Sequence, residues 1–454
     1  MSIKKIGGGP AMVSALAAAT LILAGCGGSN NAPTDTTSAA PNTTETADNG
    51  GEPVEIEYWH RLPDNDGMVK VQESVDRWNK DNPNIQVKAV KFEGKPQESY
   101  AKIQQAVKAG NAPCLAQVGY GEVASEYVAG DLMDVSEYTK EYESNYSDGA
   151  MGMMKLGDVV VGLPQDTGPL VYVYDKDAFD ELGITAPTNW DEFKAAAEKA
   201  KAAGKYIGTF QADETQYRLS GMAAAAGGAW FTPEGDSWKI DVNGEASKKV
   251  AEIQQDLIDN DLILKIDRWS DDFGAKMLDG TIIGTVAAAW EPAFMLDNFD
   301  KDGETAELNW QVAQLPEFNP GTPSTGSDGG SGVAVISGCK APKEAVEFAN
   351  WYNTQVDDLV SQGLVVATNQ GQGKTPEAWS KHFGGQDVYA ELLKANENMN
   401  PNFPYAPTWP AVGTKMNEIG GNVKSGSAKV MDIFESAQQE AVSSLKAAGI
   451  SVAE

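Results

Sequence analysis

The first part of the chain alternates between two hydrophobic periods. Apolar residues at every second position in Val54-Glu55-Ile56-Glu57-Tyr58 predict a β-strand with one buried face. Apolar residues then recur three or four positions apart, which predicts a helix: Met68, Val71, Val75 and Trp78. A second strand at 85–90 and a second helix at 97–109 continue this order. Such alternation is typical of an α/β fold with a parallel sheet, in which ligands bind at the carboxyl ends of the strands.

The same alternation returns later in the chain. Further strands are predicted at 159–164, 169–174, 282–289 and 332–337. Further helices are predicted at 189–203, 342–352 and 411–447, the last with breaks at Gly420-Gly421 and Gly426. The glycine-rich segment 319–332 is the strongest internal break, and its composition fits a surface loop, a lid or a crossing between two lobes. Two lobes are expected, because 454 residues exceed what one hydrophobic core normally supports.

The N-terminus has the pattern of an export signal. Lys4 and Lys5 precede an apolar run at 11–24, which is too short to span a membrane. Leu23-Ala24-Gly25-Cys26 resembles the bacterial lipobox, in which the cysteine is lipidated and becomes the first mature residue. We therefore expect a signal peptide at 1–25, and a lipidated Cys26 with a flexible polar tether at 26–52. The protein would then lie outside the cytoplasm, on the outer face of the membrane.

Charge and composition exclude several classes of function. Asp and Glu number 65 against 35 Lys and Arg, a net charge of −30 that disfavours nucleic acid and electrostatic docking to membranes. With two histidines and three cysteines, we expect no metal site and no cofactor. Cys114 and Cys339 fit a disulfide and buried free thiols equally well.

Five of the eleven tryptophans lie in loops after strands rather than on periodic faces: Trp59, Trp230, Trp269, Trp290 and Trp409. Large apolar side chains on loops are typical of a binding surface. A sugar ring offers an apolar C–H face and a rim of hydroxyls, so it needs both aromatic platforms and polar partners. Polar candidates occur in the same loops: His60, Asp64, Gln117, Glu122, Asp166, Glu214, Glu291, Asn369 and Gln370. Trp78, Trp190 and Trp351 lie within helical patterns and are assigned to packing.

An enzyme acting on carbohydrate is the alternative from another class, since a sugar cleft with two carboxylates also suits a glycosidase. No nucleophile or zinc-protease motif, Gly-x-Ser-x-Gly or His-Glu-x-x-His, occurs in the sequence. Phosphate-loop spacing is absent as well. We therefore interpret the protein as a receptor rather than an enzyme, with a receptor for a non-sugar solute as a further alternative.

Several motifs, in their order and spacing, resemble the family 1 extracellular solute-binding proteins, the carbohydrate-binding lipoproteins of ABC importers. Besides the lipobox, the motifs are Glu57-Tyr58-Trp59-His60, Gly110-Asn111-Ala112-Pro113, Gly162-Leu163-Pro164-Gln165-Asp166-Thr167-Gly168-Pro169, Pro187-Thr188-Asn189-Trp190-Asp191-Glu192-Phe193 and Gly329-Gly330-Ser331-Gly332-Val333-Ala334-Val335. This resemblance covers the chain beyond the tether.

The resemblance implies a two-lobed periplasmic-binding-protein-like α/β fold of class II type, with the ligand cleft between lobes joined by a three-segment hinge. By position, the first lobe comprises 53–167 plus 330–367, and the second 168–329 plus 368–454. The crossings are expected near 168–173, 327–333 and 366–371.

The implied function is that of a monomeric receptor that captures a neutral oligosaccharide of two to four units and delivers it to the permease subunits of an ABC importer. By family pattern and loop chemistry together, the expected ligand contacts are Trp59, His60, Gln117, Tyr120, Glu122, Asp166, Tyr217, Trp230, Trp269, Trp290, Glu291, Gly330, Ser331, Tyr405 and Trp409.

Overall fold

The computed structural model describes five stretches of the chain: 53–94, 96–234, 237–299, 308–371 and 373–453. The predicted signal peptide, the lipidation of Cys26 and the tether all fall on residues outside these stretches. No helix within the described stretches is long and apolar enough to cross a membrane.

The strands are β1 (Val54–His60), β2 (Ile85–Lys91), β3 (Leu115–Gly119), β4 (Lys155–Leu156), β5 (Val159–Val160), β6 (Gly162–Thr167), β7 (Leu170–Asp175), β8 (Thr209–Gln211), β9 (Phe231–Glu234), β10 (Ser237–Ile240), β11 (Leu264–Ile266), β12 (Gly284–Ala288), β13 (Trp310–Gln314), β14 (Ser331–Val335), β15 (Val365–Val366) and β16 (Ser451–Val452).

The helices are α1 (Val71–Asp81), α2 (Pro96–Ala109), α3 (Tyr120–Val128), α4 (Ser136–Thr139), α5 (Asp148–Met153), α6 (Lys176–Glu181), α7 (Trp190–Ala202), α8 (Thr215–Ala225), α9 (Glu245–Asp259), α10 (Asp271–Leu278), α11 (Glu291–Phe299), α12 (Pro342–Asn353), α13 (Val356–Ser361), α14 (Val388–Glu397), α15 (Trp409–Ser425) and α16 (Val430–Ala447).

A six-stranded sheet with the order β15-β6-β14-β3-β1-β2 contains the first predicted strands. β1 pairs in parallel with β2 and β3, as predicted. β14, which comes from much later in the chain, is antiparallel to both β3 and β6, so the sheet is mixed. The carboxyl ends of β1, β3 and β6 and the amino end of β14 consequently meet at one edge of the sheet. This edge presents loop residues from four separate parts of the chain side by side.

The middle of the chain forms smaller sheets. β7 lies between β12 and β13 and is antiparallel to both, while β8 and β11 form a parallel pair. β9, β10 and β16 form a further three-stranded sheet. β7 is buried along almost its whole length, as its continuous apolar sequence predicts for a central strand.

Two helix ends have residues that favour them, a side-chain cap at the start of α7 and a glycine at the end of α15. The Asn189 side chain accepts a hydrogen bond from the Glu192 backbone N–H and caps α7, and the Glu192 carboxylate in turn accepts from the Thr188 N–H. Gly426 ends α15 in the left-handed conformation, with φ of 81°. The predicted break at Gly420-Gly421 was wrong, because α15 runs through both glycines.

The tryptophans assigned to packing are in the hydrophobic core. Trp78 and Trp190 are buried, and Trp351 packs against Trp78 with ring centroids 5.3 Å apart. These three side chains contribute to packing, as predicted.

The glycine-rich segment 319–332 is not a simple surface loop. Residues 320–323 are exposed, but Thr325 and Asp328 are buried. The Asp328 N–H donates to the Gly168 carbonyl at 2.7 Å, and Pro169 bridges to Ser327. The second half of this segment therefore runs beside the start of β7.

A disulfide joins Cys114 and Cys339, which resolves the alternative left open by the sequence. Cys114 immediately precedes β3, and Cys339 follows β14, its antiparallel neighbour. The bridge closes a sequence separation of 225 residues. In the chain-entropy description, a cross-link that closes a loop of this length removes much of the conformational freedom of the unfolded chain.

We expect reduction of this disulfide to lower the free energy of unfolding by about 2–5 kcal/mol. Urea unfolding with and without reductant measures the change. The control is Cys114→Ala combined with Cys339→Ala, which should start at the lower stability and not respond to reductant. An identical midpoint for the oxidised and reduced protein would show that the bridge contributes nothing.

Candidate functional site

A cavity of about 470 Å³ lies at the edge of the six-stranded sheet where β1, β3 and β6 end. The loop after β1, the β3–α3 junction and the end of β6 form one side. The opposite side comes from the start of α8, the loop after β11, the turn before α11 and residues 328–329, while Gly330 and Ser331 lead into β14 on the sheet side. Its size falls within the range of sites for small molecules.

The structure brings nine of the predicted contacts together around this cavity: Gln117, Tyr120, Glu122, Asp166, Tyr217, Trp269, Trp290, Gly330 and Ser331. They come from six different loops or element ends. Gln117, Asp166 and Ser331 converge because the strand ends that carry them share one edge of the six-stranded sheet. Tyr217, Trp269 and Trp290 come from elements outside that sheet.

The structure does not bring Trp59 and His60 to the cavity. The Trp59 ring lies under the Lys102 ammonium at 4.2 Å, and His60 is buried near Asp64. Burial lowers the pKa of His60 to about 4, although the Asp64 carboxylate opposes that shift. Because β1 continues through His60, the first residue that turns toward the cavity is Arg61.

Trp230, Tyr405 and Trp409 also lie outside the cavity lining, in the core. Both indoles have no exposed surface, and Tyr405 is 8% exposed. Trp230 donates its Nε1–H to Ser247 and packs on Phe403 with centroids 5.2 Å apart. The sequence predicted loop positions with accessible side chains here, but Trp409 is the first residue of α15, and Phe434 of α16 packs on Trp230 with ring centroids 5.9 Å apart.

A hydrogen-bonded polar chain forms the sheet side of the cavity. The Gln117 amide donates to the Ser331 hydroxyl at 2.9 Å, and that hydroxyl donates to the Asp166 carboxylate at 2.5 Å. Tyr120 donates to the Asp166 carbonyl at 2.9 Å. Burial raises the pKa of Asp166 to about 7, and the Ser331 hydrogen bond opposes this. The site thus holds hydrogen-bonding groups in fixed orientations for a polar ligand.

Gly330 allows the backbone that leads into Ser331 to pass close to the ring of Tyr120. Its φ of 88° lies in the left-handed region that favours glycine. A Cβ at this position would lie 2.9 Å from Cε2 of Tyr120. Any larger residue would therefore displace the tyrosine from the cavity wall.

Trp269 and Trp290 form an aromatic platform on the opposite side. Their rings are nearly parallel, at 5°, with centroids 6.1 Å apart. Trp269 is 44% exposed, and its Nε1–H donates to Glu214 at 2.6 Å. Trp290 donates its Nε1–H to the Asp328 carbonyl at 2.9 Å, so both indoles have a fixed direction.

A buried ion cluster lies beneath the platform. The Arg268 guanidinium lies 4.4 Å from the Trp290 ring centroid and 5.3 Å from that of Trp269. It pairs with Glu291 at 2.6 Å and Asp328 at 3.3 Å, and Arg218 pairs with the same two carboxylates. Glu291, a predicted contact, is therefore a support buried under the platform and does not line the cavity.

Within the ion cluster, the pKa of Glu291 is lowered and the pKa of Arg268 is raised. Burial alone would raise the pKa of Glu291, but Arg268 and Arg218 outweigh it and the net pKa is lowered. Burial likewise disfavours charged Arg268, yet Asp328, Glu291 and Glu214 raise its pKa further. Glu214 is more weakly compensated, and burial raises its pKa to about 7.

Sequence reasoning missed several residues of the lining: Arg61, Tyr100, Arg268, Phe294 and Asp328. Glu214 was named among the polar candidates but not among the expected contacts. Arg61 and Arg268 are direct neighbours of predicted residues, and Asp328 lies in the glycine-rich segment, so proximity in sequence was the available signal. Nothing in the pattern of the helical residues Tyr100 and Phe294 distinguishes them from core residues.

Comparison with known proteins identifies the family of this chain. The model of the bacterial extracellular solute-binding protein family matches residues 64–356. The galacto-N-biose-/lacto-N-biose I-binding protein of an ABC transporter from Bifidobacterium longum, solved with lacto-N-biose, is 46% identical, with a TM-score of 0.84. The match covers 89% of this chain and 100% of that one.

Two further relatives are more distant. An ABC transporter associated binding protein from B. animalis subsp. lactis Bl-04, in complex with β-1,6-galactobiose, is 24% identical, with a TM-score of 0.75. That match covers 89% of this chain and 100% of that one, and shows the fold alone. The sn-glycerol-3-phosphate-binding periplasmic protein of Pectobacterium atrosepticum is 23% identical over 65% of this chain and 68% of its own length.

The raised pKa of Asp166 predicts a pH-dependent difference in stability. An unfolded Asp titrates near pH 3.9, so the contribution of this group is fully present below that pH and is lost as pH rises through about 7. An asparagine side chain at this position does not titrate, so the variant has no such loss of stability. We expect the free energy of unfolding of Asp166→Asn, relative to wild type, to rise by about 2 kcal/mol from pH 5 to pH 8.

Urea unfolding at the two pH values measures this difference. Asp134→Asn is the matched control, because hydrogen bonds from Ser136 lower the pKa of that exposed carboxylate and its titration lies below this window. A constant difference between Asp166→Asn and wild type across the window would contradict the assignment.

Proposed function

This chain belongs to the family of bacterial extracellular solute-binding proteins, and we propose that its cavity binds a neutral oligosaccharide of two to four units for delivery to the permease of an ABC importer. The 46% identity to a lacto-N-biose-binding protein makes galactose-containing disaccharides the first ligands to test. The protein acts outside the cytoplasm, as its family does.

The observation that carries this proposal is the parallel pair Trp269–Trp290 facing the polar chain through Asp166. An indole face suits the apolar C–H face of a pyranose, while carboxylate, amide and hydroxyl groups suit its hydroxyls. Aromatic contacts contribute about 0.5–1.5 kcal/mol each beyond area burial. Two platforms together with several hydrogen bonds support micromolar affinity, about −8 kcal/mol.

The charge of the lining supports a neutral ligand. Four carboxyl groups border the cavity against two guanidinium groups: Glu122, Asp166, Glu214 and Asp328 against Arg61 and Arg268. The guanidinium of Arg268 is already paired with carboxylates, and that of Arg61 donates to the Ser99 hydroxyl. A phosphorylated or carboxylated solute would bring a further negative charge into this low-dielectric space, which costs free energy unless it is paired. This favours sugars over anionic solutes such as glycerol 3-phosphate.

We propose binding without turnover. The relatives found are binding proteins of transporters, and a receptor must return its ligand chemically unchanged. Incubation with labelled disaccharide followed by chromatography tests this point. Appearance of the monosaccharides would favour the enzyme alternative.

We further propose the lobe division 53–167 plus 330–367 and 168–329 plus 368–454, with hinge crossings near 168–173, 327–333 and 366–371. In support, every strand of the six-stranded sheet falls within the first set, and the strands paired with β7, β8 and β10 fall within the second. The hydrogen bond from Asp328 to Gly168 lies between two of the proposed crossings. The cavity then lies between the lobes.

Calorimetric titration with lacto-N-biose, β-1,6-galactobiose, maltose and glycerol 3-phosphate tests the proposed function. We expect saturable binding of at least one oligosaccharide and none of glycerol 3-phosphate. Binding of the phosphate alone, by a folded protein, would contradict the proposal.

Trp269→Ala should weaken sugar binding by about 10- to 100-fold and leave stability nearly unchanged, because this half-exposed indole contributes mainly to the platform. The matched control is Trp230→Ala, which empties a core position and should lower stability by about 3–5 kcal/mol. Titration and urea unfolding of both variants separate the two roles. Unchanged affinity in Trp269→Ala would remove the platform from the binding site.

We propose that a lipid on Cys26 anchors the mature protein, as a monomer, to the outer face of the membrane. Cys26→Ser removes the acceptor thiol and should move the protein from the membrane fraction to the medium, since two acyl chains are needed for stable anchoring. Immunoblots of cell fractions measure this. Continued membrane association of Cys26→Ser would reject the lipid anchor.

A further inference from the structure

Four of the residues predicted to contact the ligand also contact one another: Glu122, Tyr217, Tyr405 and Trp409. The Tyr217 hydroxyl donates to Oε1 of Glu122, and the Trp409 ring lies 4.9 Å from that of Tyr405 and 5.9 Å from that of Tyr217. Glu122 belongs to the first proposed lobe and the three aromatic residues to the second. We call this group, with Tyr100 and Gly121, the Glu122 seam.

Both carboxylate oxygens of Glu122 are engaged by protein hydroxyls. Oε1 accepts from Tyr217 and Oε2 accepts from Tyr100 at 3.2 Å, and the Tyr100 hydroxyl accepts from the Gly119 N–H at 2.9 Å. The residue is 8% exposed. Each carboxylate oxygen of Glu122 is thus in a hydrogen bond to a tyrosine hydroxyl of the protein.

The backbone at Gly121 is in close contact with the second lobe. A Cβ at this position would lie 2.7 Å from Cδ1 of Trp409 and 3.0 Å from the Tyr217 hydroxyl. The Trp409 indole is completely buried, and its Nε1–H finds no acceptor among the described residues, so packing holds it. Separation of α3 from α15 would expose this ring to water.

We propose that the Glu122 seam is a latch that holds the two lobes closed over the cavity, with Tyr217 and Glu122 positioning the lobes rather than binding the sugar. This inference rests on the proposed function and its lobe division. Closure that depends on a protein–protein hydrogen bond stabilises the closed state for every ligand equally. The specificity for a given sugar then comes from the platform and from the chain through Asp166, on the other walls.

Tyr217→Phe removes the hydroxyl and keeps the ring. Tyr172→Phe is the matched control, because Tyr172 is a buried tyrosine whose hydroxyl donates to the Ile207 carbonyl at 2.8 Å, away from the seam. Hydrogen exchange of the protein without sugar is the first measurement, since it reports local opening. We expect faster exchange in Tyr217→Phe over 115–128 and 403–416, and unchanged exchange there in Tyr172→Phe.

Gly121→Ala adds a methyl group on the first lobe that would clash with Trp409 on the second. It should therefore give the same exchange pattern as Tyr217→Phe. Unchanged protection at 115–128 and 403–416 in both seam variants would overturn the proposal. This measurement needs no ligand, so it tests the latch even if the proposed function fails.

Stopped-flow kinetics with lacto-N-biose and with β-1,6-galactobiose is the second measurement. A latch predicts that Tyr217→Phe dissociates about 10-fold faster from either sugar, with little change in association rate. A loss confined to one sugar would show that Tyr217 contacts the ligand directly, and would overturn the positioning role. Absence of binding by wild type would instead reject the proposed function and leave the exchange result decisive.

Discussion

The cavity depends on the buried ion cluster beneath its aromatic platform. Indole rings on loops have many orientations, and each would have to be ordered by the ligand if the protein did not order it first. Arg268 lies against both platform rings and is itself fixed by Glu291 and Asp328, while the Asp328 carbonyl orients the Trp290 indole. Together with Arg218, the cluster holds two positive and two negative charges that compensate one another. The platform is therefore rigid without leaving an unpaired charge of this cluster in the cavity wall.

The opposite wall follows from sheet topology rather than from any one motif. Three strands end and one begins at the same edge, which places Gln117, Asp166 and Ser331 within hydrogen-bonding reach although they are far apart in sequence. Asp328 connects the two walls, because its backbone binds Gly168 at the start of β7 while its side chain belongs to the ion cluster.

Periodicity predicted the elements well, because burial of one face sets the spacing of apolar residues in strands and helices alike. The loops were harder. Trp269 and Trp290 line the cavity, but Trp230 and Trp409 lie in the core, and Trp409 is the first residue of α15. Residues distant in sequence pack against both, Phe434 against Trp230 and Tyr217 against Trp409. The role of Arg268 was hidden for a related reason: its carboxylate partners come from other parts of the chain.

The most direct test of the central claim is a crystal structure with the tightest-binding oligosaccharide. We predict a sugar ring stacked on the Trp269–Trp290 platform, with hydroxyls bonded to the chain through Asp166 and Ser331, and the Tyr217–Glu122 contact intact. A ligand bound elsewhere, with both indoles uncovered, would contradict the account.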